Sequence, residues 1–292
     1  MADYKSLHPD AASQLSYIHP SRPVWPGITP RWILSVLPFV SIQSGSYRVN
    51  RVRSGSGFSV IHRAPHDSEL PTTFADYDQD PIEVPLDSIH SILRLHTVSG
   101  DLHNVPHSQL KEQTRLVVEA LKEEQERQIL ENPSTGLANA AADEMKVSCS
   151  GFPTPDAMDD LLEKVWEKPS FFVAHPKMIC AFEKECTKKA IATETVGMLG
   201  APFVTWRGVP IIPSNKLRCE ETSKILLMRV GEEDQGVIGI SQSGIAGEIS
   251  PGLSMRMSGI DERGCTNYLF VLYFAVTVLS PSALGVMECG RV

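Results

Sequence analysis

The sequence predicts an α+β fold, and three observations carry that prediction. Of its 292 residues, 42% are hydrophobic and 21% charged, which is ordinary for a folded globular chain. The 21 prolines and 20 glycines argue for a loop-rich, irregular chain rather than a helical bundle. Helical periodicity appears in a few segments only, set among runs of β-branched and aromatic residues, with no internal repeat. A chain of this length can bury about three-quarters of its extended surface, enough for a core without staples.

The opening segment to residue 46 reads as an arm. Pro20, Pro23, Pro26, Pro30 and Pro38 keep it extended, because proline fixes φ and removes a donor. Trp25, Trp32 and Phe39, with Ile28, Ile33, Leu34, Val36 and Leu37, are too apolar for a free tail. The expected cover is a neighbouring subunit. Thr29 followed by Pro30 predicts the start of a helical turn or two.

Residues 47–107 read as a projecting β-arm without a core of its own. Tyr47 to Arg53 alternates, Ser54 to Gly57 is a flexible tip, Phe58 to Ile61 resumes the strand, and Ile89 to Leu95 is strand-like again. A long helix is predicted from Ser108 to about Glu131, with a narrow apolar stripe of Leu110, Val117, Val118 and Leu121. Glu123 and Arg127 are spaced to pair along it. Asn132 and Pro133 end it.

A second helix has Thr154 as cap, Pro155 at its first position and acids in its first turns, with Met158, Leu161, Leu162, Val165 and Trp166 inward. The strand Phe171 to Ala174 leads to a third helix opened by Pro176, with Met178, Ile179, Phe182 and Cys186 inward. Residues 187–200 read as a loop. Phe203 to Trp206, an Arg207-Gly208 turn, Val209 to Ile212, Lys224 to Val230, Val237 to Ser241 and Leu253 to Ile260 are strands, the last alternating at Leu253, Met255 and Met257.

Charge and motifs then narrow the function. The net charge of −8 argues against a nucleic-acid binder, which needs a basic face to neutralise phosphates. Gly264 to Met287 holds no charge among residues 264–287, yet its apolar run from Tyr268 stops at Leu279, short of the about 20 residues of a spanning helix. Val271, Val276 and Val278 favour a buried strand, so no membrane association is expected. The N-terminus lacks the apolar core of a secretory signal. The 6 cysteines are scattered without a CxxC pair and read as thiols of a reducing compartment, hence a cytoplasmic chain.

No nucleotide-binding, nucleophile-elbow or HExxH pattern is present. The pairs His62/His66 and His103/His107 have chelate spacing, but each straddles a proline and reads as loop histidines. His175 reads as a cap or a buried, hydrogen-bonded ring before it reads as a general base. Cys180 and Cys186 read as core thiols. The turn Gly231 to Asp234 reads as a solvated turn or a subunit contact rather than a cation loop. Nothing converges on a catalytic constellation, so no enzyme, cofactor or metal site is expected.

The order of parts resembles the tailed-phage major capsid protein fold: N-arm, extended β-loop, peripheral domain with a long spine helix, and axial domain. The blocks ITPRWILSVLPFVSIQSGSYRVNRV (Ile28–Val52), KPSFFVAHPKMICAFEKECTKK (Lys168–Lys189), GAPFVTWRGVPIIPSNKL (Gly200–Leu217) and ILLMRVGEEDQGVIGISQSGIAGEISPGLSMRMSGID (Ile225–Asp261) are more specific. Together with VTVLSPSALGVMECGRV, which resembles a closing strand pair of the peripheral domain, they resemble the family 2 encapsulins, shell proteins of bacterial nanocompartments. Without an inserted cyclic-nucleotide-binding domain, the chain resembles the subgroup written 2A.

The resemblance implies residues 1–46 as N-arm, 47–107 as extended β-loop, 108–145 with 251–292 as peripheral domain and 146–250 as axial domain. It implies an icosahedral homo-oligomer enclosing a cargo enzyme, a cysteine desulfurase with its own pyridoxal phosphate, and a link to sulfur metabolism. A phage or prophage capsid subunit is the alternative on the same fold. Axial loops of that fold meet at the five-fold axis. The small, polar loop from Ala190 to Gly197, with Thr193, Glu194 and Thr195, is expected there as a pore lining, or else is an ordinary inter-strand loop.

Overall fold

The computed structural model describes residues 24–52, 72–73, 76–95, 109–149, 151–219 and 222–290. The expectations for Ser54 to Gly57, for Phe58 to Ile61 and for the histidine pairs His62/His66 and His103/His107 concern residues outside them.

Two mixed sheets and a ribbon organise the chain. The 6-stranded sheet is built on the long strand β14 (Thr266–Val278). One edge of β14 carries β4 (Asp87–Leu95), which pairs with Thr266 to Phe274. Its other edge is shared end to end by β13 (Leu253–Ile260), which pairs with Thr266 to Leu272 and carries β12 (Glu248–Ser250) outside it, and β11 (Val237–Gln242), which pairs with Phe274 to Val278. The short β1 (Phe39–Ile42) runs parallel beside β11.

The 7-stranded sheet has the order β5-β15-β10-β6-β9-β8-β7, from β5 (Lys146–Cys149), β15 (Leu284–Cys289), β10 (Ser223–Met228), β6 (Phe171–Ala174), β9 (Val209–Pro213), β8 (Ala201–Trp206) and β7 (Glu194–Met198). Its centre is covered on both faces. Phe171, Val173, Leu226 and Met228 face one core cluster, and Phe172, Ala174, Ile225 and Leu227 face the other. That is why Phe171 to Ala174 is apolar throughout instead of alternating.

The second cluster lies under α4 (Pro155–Lys164) and α5 (Pro176–Lys188). Both helices start as the sequence predicts, with proline inside the cap and a side chain accepting a backbone N–H: Thr154 from Ala157 at 3.2 Å, and His175 Nδ1 from Lys177 at 3.2 Å. The first cluster joins the two sheets to α2 (Gln109–Glu131) and to the opening arm, which carries the single-turn α1 (Trp32–Val36). The short α3 (Leu137–Ala140) follows α2 and buries Leu137 and Ala138.

Several expectations change. Residues Thr29 to Ile42 fold onto their own chain: Ile33 is fully buried and Trp32 meets Phe203 edge-on with ring centroids 5.3 Å apart. The helix starts at Trp32, not at Pro30, because Thr29 is engaged elsewhere and Arg31 takes the left-handed conformation at the cap. Asp87 to Leu95 is a full strand of the 6-stranded sheet rather than part of a projecting arm, since β14 offers it nine residues of ladder.

Among the described residues the ribbon consists of β2 (Ser46–Val49) against β3 (Ile82–Pro85) and the bridge Val52 to Tyr77. β14 and β15 do not pair. A turn at Ser280 to Ala283 sends the chain from one sheet into the other, so β15 stands between β5 and β10. β11 likewise sits with β14 and not among the strands around α4 and α5. Trp166 lies past the end of α4 and is 75% exposed, and Met257 is exposed beside a bulge in β13.

Candidate assembly surface

A buried polar cluster fastens the arm. Glu123, Glu126 and Glu119 project from α2; Thr29 and Arg31 come from the arm, and Lys216 from the turn after β9. The Thr29 amide donates to Glu123 Oε1 at 2.8 Å and its hydroxyl to Glu123 Oε2 at 2.9 Å. Lys216 Nζ pairs with the same carboxylate, and Arg31 pairs with Glu119. The Ile33 amide donates to Glu126 Oε1 at 3.4 Å, and Glu126 is only 2% exposed.

The two carboxylates are driven apart. Burial pushes Glu123 upward, but the Lys216 and Thr29 hydrogen bonds outweigh it and hold its carboxyl below the usual range. Burial dominates at Glu126 and holds it above that range. Sequence reading missed this cluster. Glu123 does not pair with Arg127, which instead reaches Glu124 at 2.8 Å.

The three expected arm residues divide. Trp32 packs on Phe203. The Phe39 ring lies over Gly239, where an added Cβ would come within 2.6 Å of it. Trp25 is 37% exposed and Val24 is more so, so among the described residues the apolar start of the arm is only partly covered. The ribbon is tied at its base: Tyr47 and Val84 pack on the reverse face of the 6-stranded sheet, near Ile238 and Ile240. The Tyr47 hydroxyl donates to Glu232 at 2.7 Å; burial first, then this hydrogen bond, raises its pKa to about 12. Glu232 belongs to the acidic turn, whose Asp234 takes a hydrogen bond from Lys168 at 2.6 Å. Farther out, Val52 and Tyr77 are exposed.

The segment expected to be a pore loop is mostly strand. Glu194, Thr195 and the residues to Met198 form β7, in an antiparallel hairpin with β8 and in register Glu194 to Thr205. Only residues 189–193 remain a connection, with Thr193 at its end. Leu199 and Gly200, with φ of 51° and 78°, make the two-residue turn whose twist suits a hairpin. Glu194, Thr195, Val196 and Leu199 are exposed, so the hairpin displays one acid and two apolar side chains.

The rest is structural. His175 is a cap whose pKa burial pulls down, with Lys177 adding to the effect. Cys186 is buried, but Cys180 is exposed on α5 and is not a core thiol. Beside it a groove is lined by Phe152, Pro176, Lys177, Ala181 and Lys184. Among the described residues no three of His, Cys, Asp and Glu gather to hold a metal ion, and no helix is long and apolar enough to cross a membrane.

A family model described as Type 2A encapsulin shell protein SrpI-like matches residues 51–292. This chain belongs to the Type 2A encapsulin shell proteins. It is 42% identical to the Type 2A encapsulin shell protein SrpI of Synechococcus elongatus, over 97% of this chain and 93% of that one. To the Type 2A encapsulin shell protein of Mycobacterium leprae it is 42% identical, over 95% and 92%.

Among solved structures, the shell of the holo-SrpI encapsulin complex of Synechococcus elongatus matches 97% of the chain with a TM-score of 0.83 at 39% identity, covering 96% of that chain. The capsid of an empty gene transfer agent particle matches with a TM-score of 0.66 at 13% identity, covering 99% of this chain and 100% of that one. The second likeness concerns the fold alone. A Type 2A encapsulin chain is a structural shell subunit, not a catalyst.

Proposed function

We propose that this Type 2A encapsulin chain assembles in the bacterial cytoplasm into a closed icosahedral cage around a cysteine desulfurase, which brings its own pyridoxal phosphate. The observation that carries the reading is the near full-length likeness to the shell of the holo-SrpI encapsulin complex. An arm start with exposed Trp25 and a ribbon with exposed Val52, Tyr77 and Ile82 supply surfaces suited to neighbouring copies. We assign half-buried Thr193 and the exposed Glu194 and Thr195 at the start of the β7–β8 hairpin to the five-fold pore, where a ring of Glu194 carboxylates would select against anions.

Purification from the native host under gentle conditions tests this, by size-exclusion chromatography, electron microscopy and mass spectrometry of co-purifying proteins. Closed particles of uniform size with a pyridoxal-phosphate desulfurase inside are expected. Monomers or dimers alone would sink the cage, and a different packaged enzyme would sink the cargo assignment. The capsid fold shared with the gene transfer agent particle keeps a second reading in view, a capsid subunit, which DNA in the lumen would favour.

A further inference from the structure

The end of the chain brings two thiols together. β5 and β15 run parallel with Cys149 and Cys289 in direct register. Residues paired across neighbouring strands project to the same face; here it is the face that carries Val147 and Met287 into the core beneath α4. Neighbouring strands lie about 4.7–4.9 Å apart, inside the Cα separation of about 4.4–6.8 Å that a disulfide spans. The thiols are hydrogen-bond neighbours.

Their access differs. Cys289 is 2% exposed, whereas Cys149 is half-buried and its Sγ donates to the Phe152 carbonyl at 2.8 Å. On its other side Cys289 faces Ser223, whose hydroxyl donates to Cys219 Sγ at 3.3 Å. Cys149 is therefore the thiol in register with Cys289.

We propose that Cys149 and Cys289 form a peroxide-responsive dithiol that closes to a disulfide and staples the last strand of the chain to β5. Cys149 meets the oxidant first. Its thiol loses a proton, the sulfur attacks one oxygen of hydrogen peroxide, and the O–O bond breaks. The hydroxide released takes up that proton as water, leaving Cys149 as a sulfenic acid. Cys289 sulfur then attacks Cys149 sulfur; the S–O bond breaks and the hydroxyl leaves with the Cys289 proton as a second water. Two thiols and one peroxide thus give one disulfide and two waters. Burial, with Cys149 alongside, pushes the Cys289 thiol up to about 12, consistent with its role as the protected second partner. In a reducing cytoplasm the pair rests as thiols and closes under oxidative load.

The test uses the full chain in its native assembled state, exposed to hydrogen peroxide, then alkylated and digested without reduction for mass spectrometry. The expected product is a peptide pair joined through Cys149 and Cys289, released by dithiothreitol and absent in Cys149→Ser. The oxidised protein is also expected to melt roughly 5 °C or more above the reduced one, because the bridge closes most of the C-terminal half into a loop. The proposal fails if both cysteines stay open to alkylation after peroxide. It fails equally if Cys149 proceeds to sulfinic acid beside a free Cys289, or if it is found joined to any other cysteine. The wild-type measurement stands whether or not the variant folds.

Discussion

The amide and the hydroxyl of Thr29 both donate to the carboxylate of Glu123, 94 positions along the chain, at 2.8 Å and 2.9 Å. With Lys216 on the same carboxylate, one side chain of α2 secures the arm and the turn after β9 together. Both charged partners are nearly excluded from solvent, with side-chain exposures of 7% and 6%. Glu123→Ala would leave the buried ammonium without its paired carboxylate, and a loss of about 3–5 kcal/mol is expected. Pairing Glu123→Met with Lys216→Met should restore much of it. Thermal unfolding of wild type and the two variants checks both statements, and proteolysis near Thr29 should quicken in both, because each removes the carboxylate that Thr29 donates to.

Glu126 and Glu123 answer pH in opposite senses. The Glu123 pKa is depressed in the folded chain, so its contribution is present above the unfolded carboxylate range and is lost as pH falls through the folded value. The Glu126 pKa is raised, so ionised Glu126 opposes folding once pH rises through its folded value. Glu126→Gln keeps an acceptor for the Ile33 amide and carries no charge. It should therefore melt higher than wild type near neutral pH. At about pH 4 or below, where native Glu126 holds its proton, the gain should vanish. Melting curves at the two pH values decide it.

Gly239 has no room for a methyl group while the Phe39 ring lies over it. Gly239→Ala is expected to destabilise the chain by about 1–3 kcal/mol through overpacking. In a Phe39→Ala background the same change should cost little, and the coupling read from the double-mutant cycle measures how firmly β1 is seated.

Asp159 accepts from the buried Trp206 indole at 2.8 Å and from exposed Arg207 at 2.9 Å. The Arg207 hydrogen bond lowers the Asp159 pKa despite partial burial, but solvent screening leaves that exposed ion pair contributing little to stability. An indole N–H left without an acceptor costs about 1–3 kcal/mol. Asp159→Ala should therefore destabilise clearly more than Arg207→Ala. Denaturant midpoints, with tryptophan emission as a second probe, distinguish the two.

Local signals carried well from sequence to structure. Thr154-Pro155 and His175-Pro176 each start a helix because cap and proline act within a few residues, and the both-faced apolar run at Phe171 is a buried strand. Long-range pairing was not legible. Nothing local in Asp87 to Leu95 says that β14 will extend to meet it, and nothing around Ser280 says that β15 will leave the sheet of β14. The Leu199-Gly200 turn had a legible glycine, but the small, polar run before it read as a loop. Of the assembly surface, the apolar residues of the arm were visible and their partners were not. Phe203, Gly239 and the buried acids of α2 lie far along the chain, and a glutamate on a helix carries no mark of burial.

The position of β1 has one more effect. A strand edge left bare at β11 would offer its main-chain donors and acceptors to any passing chain. A four-residue strand from the same polypeptide occupies that edge and, being so short, presents little ladder beyond itself. That edge is thereby closed to copies of this molecule stacking edge on edge, a mode of association that runs on into fibres instead of bending back into a closed body.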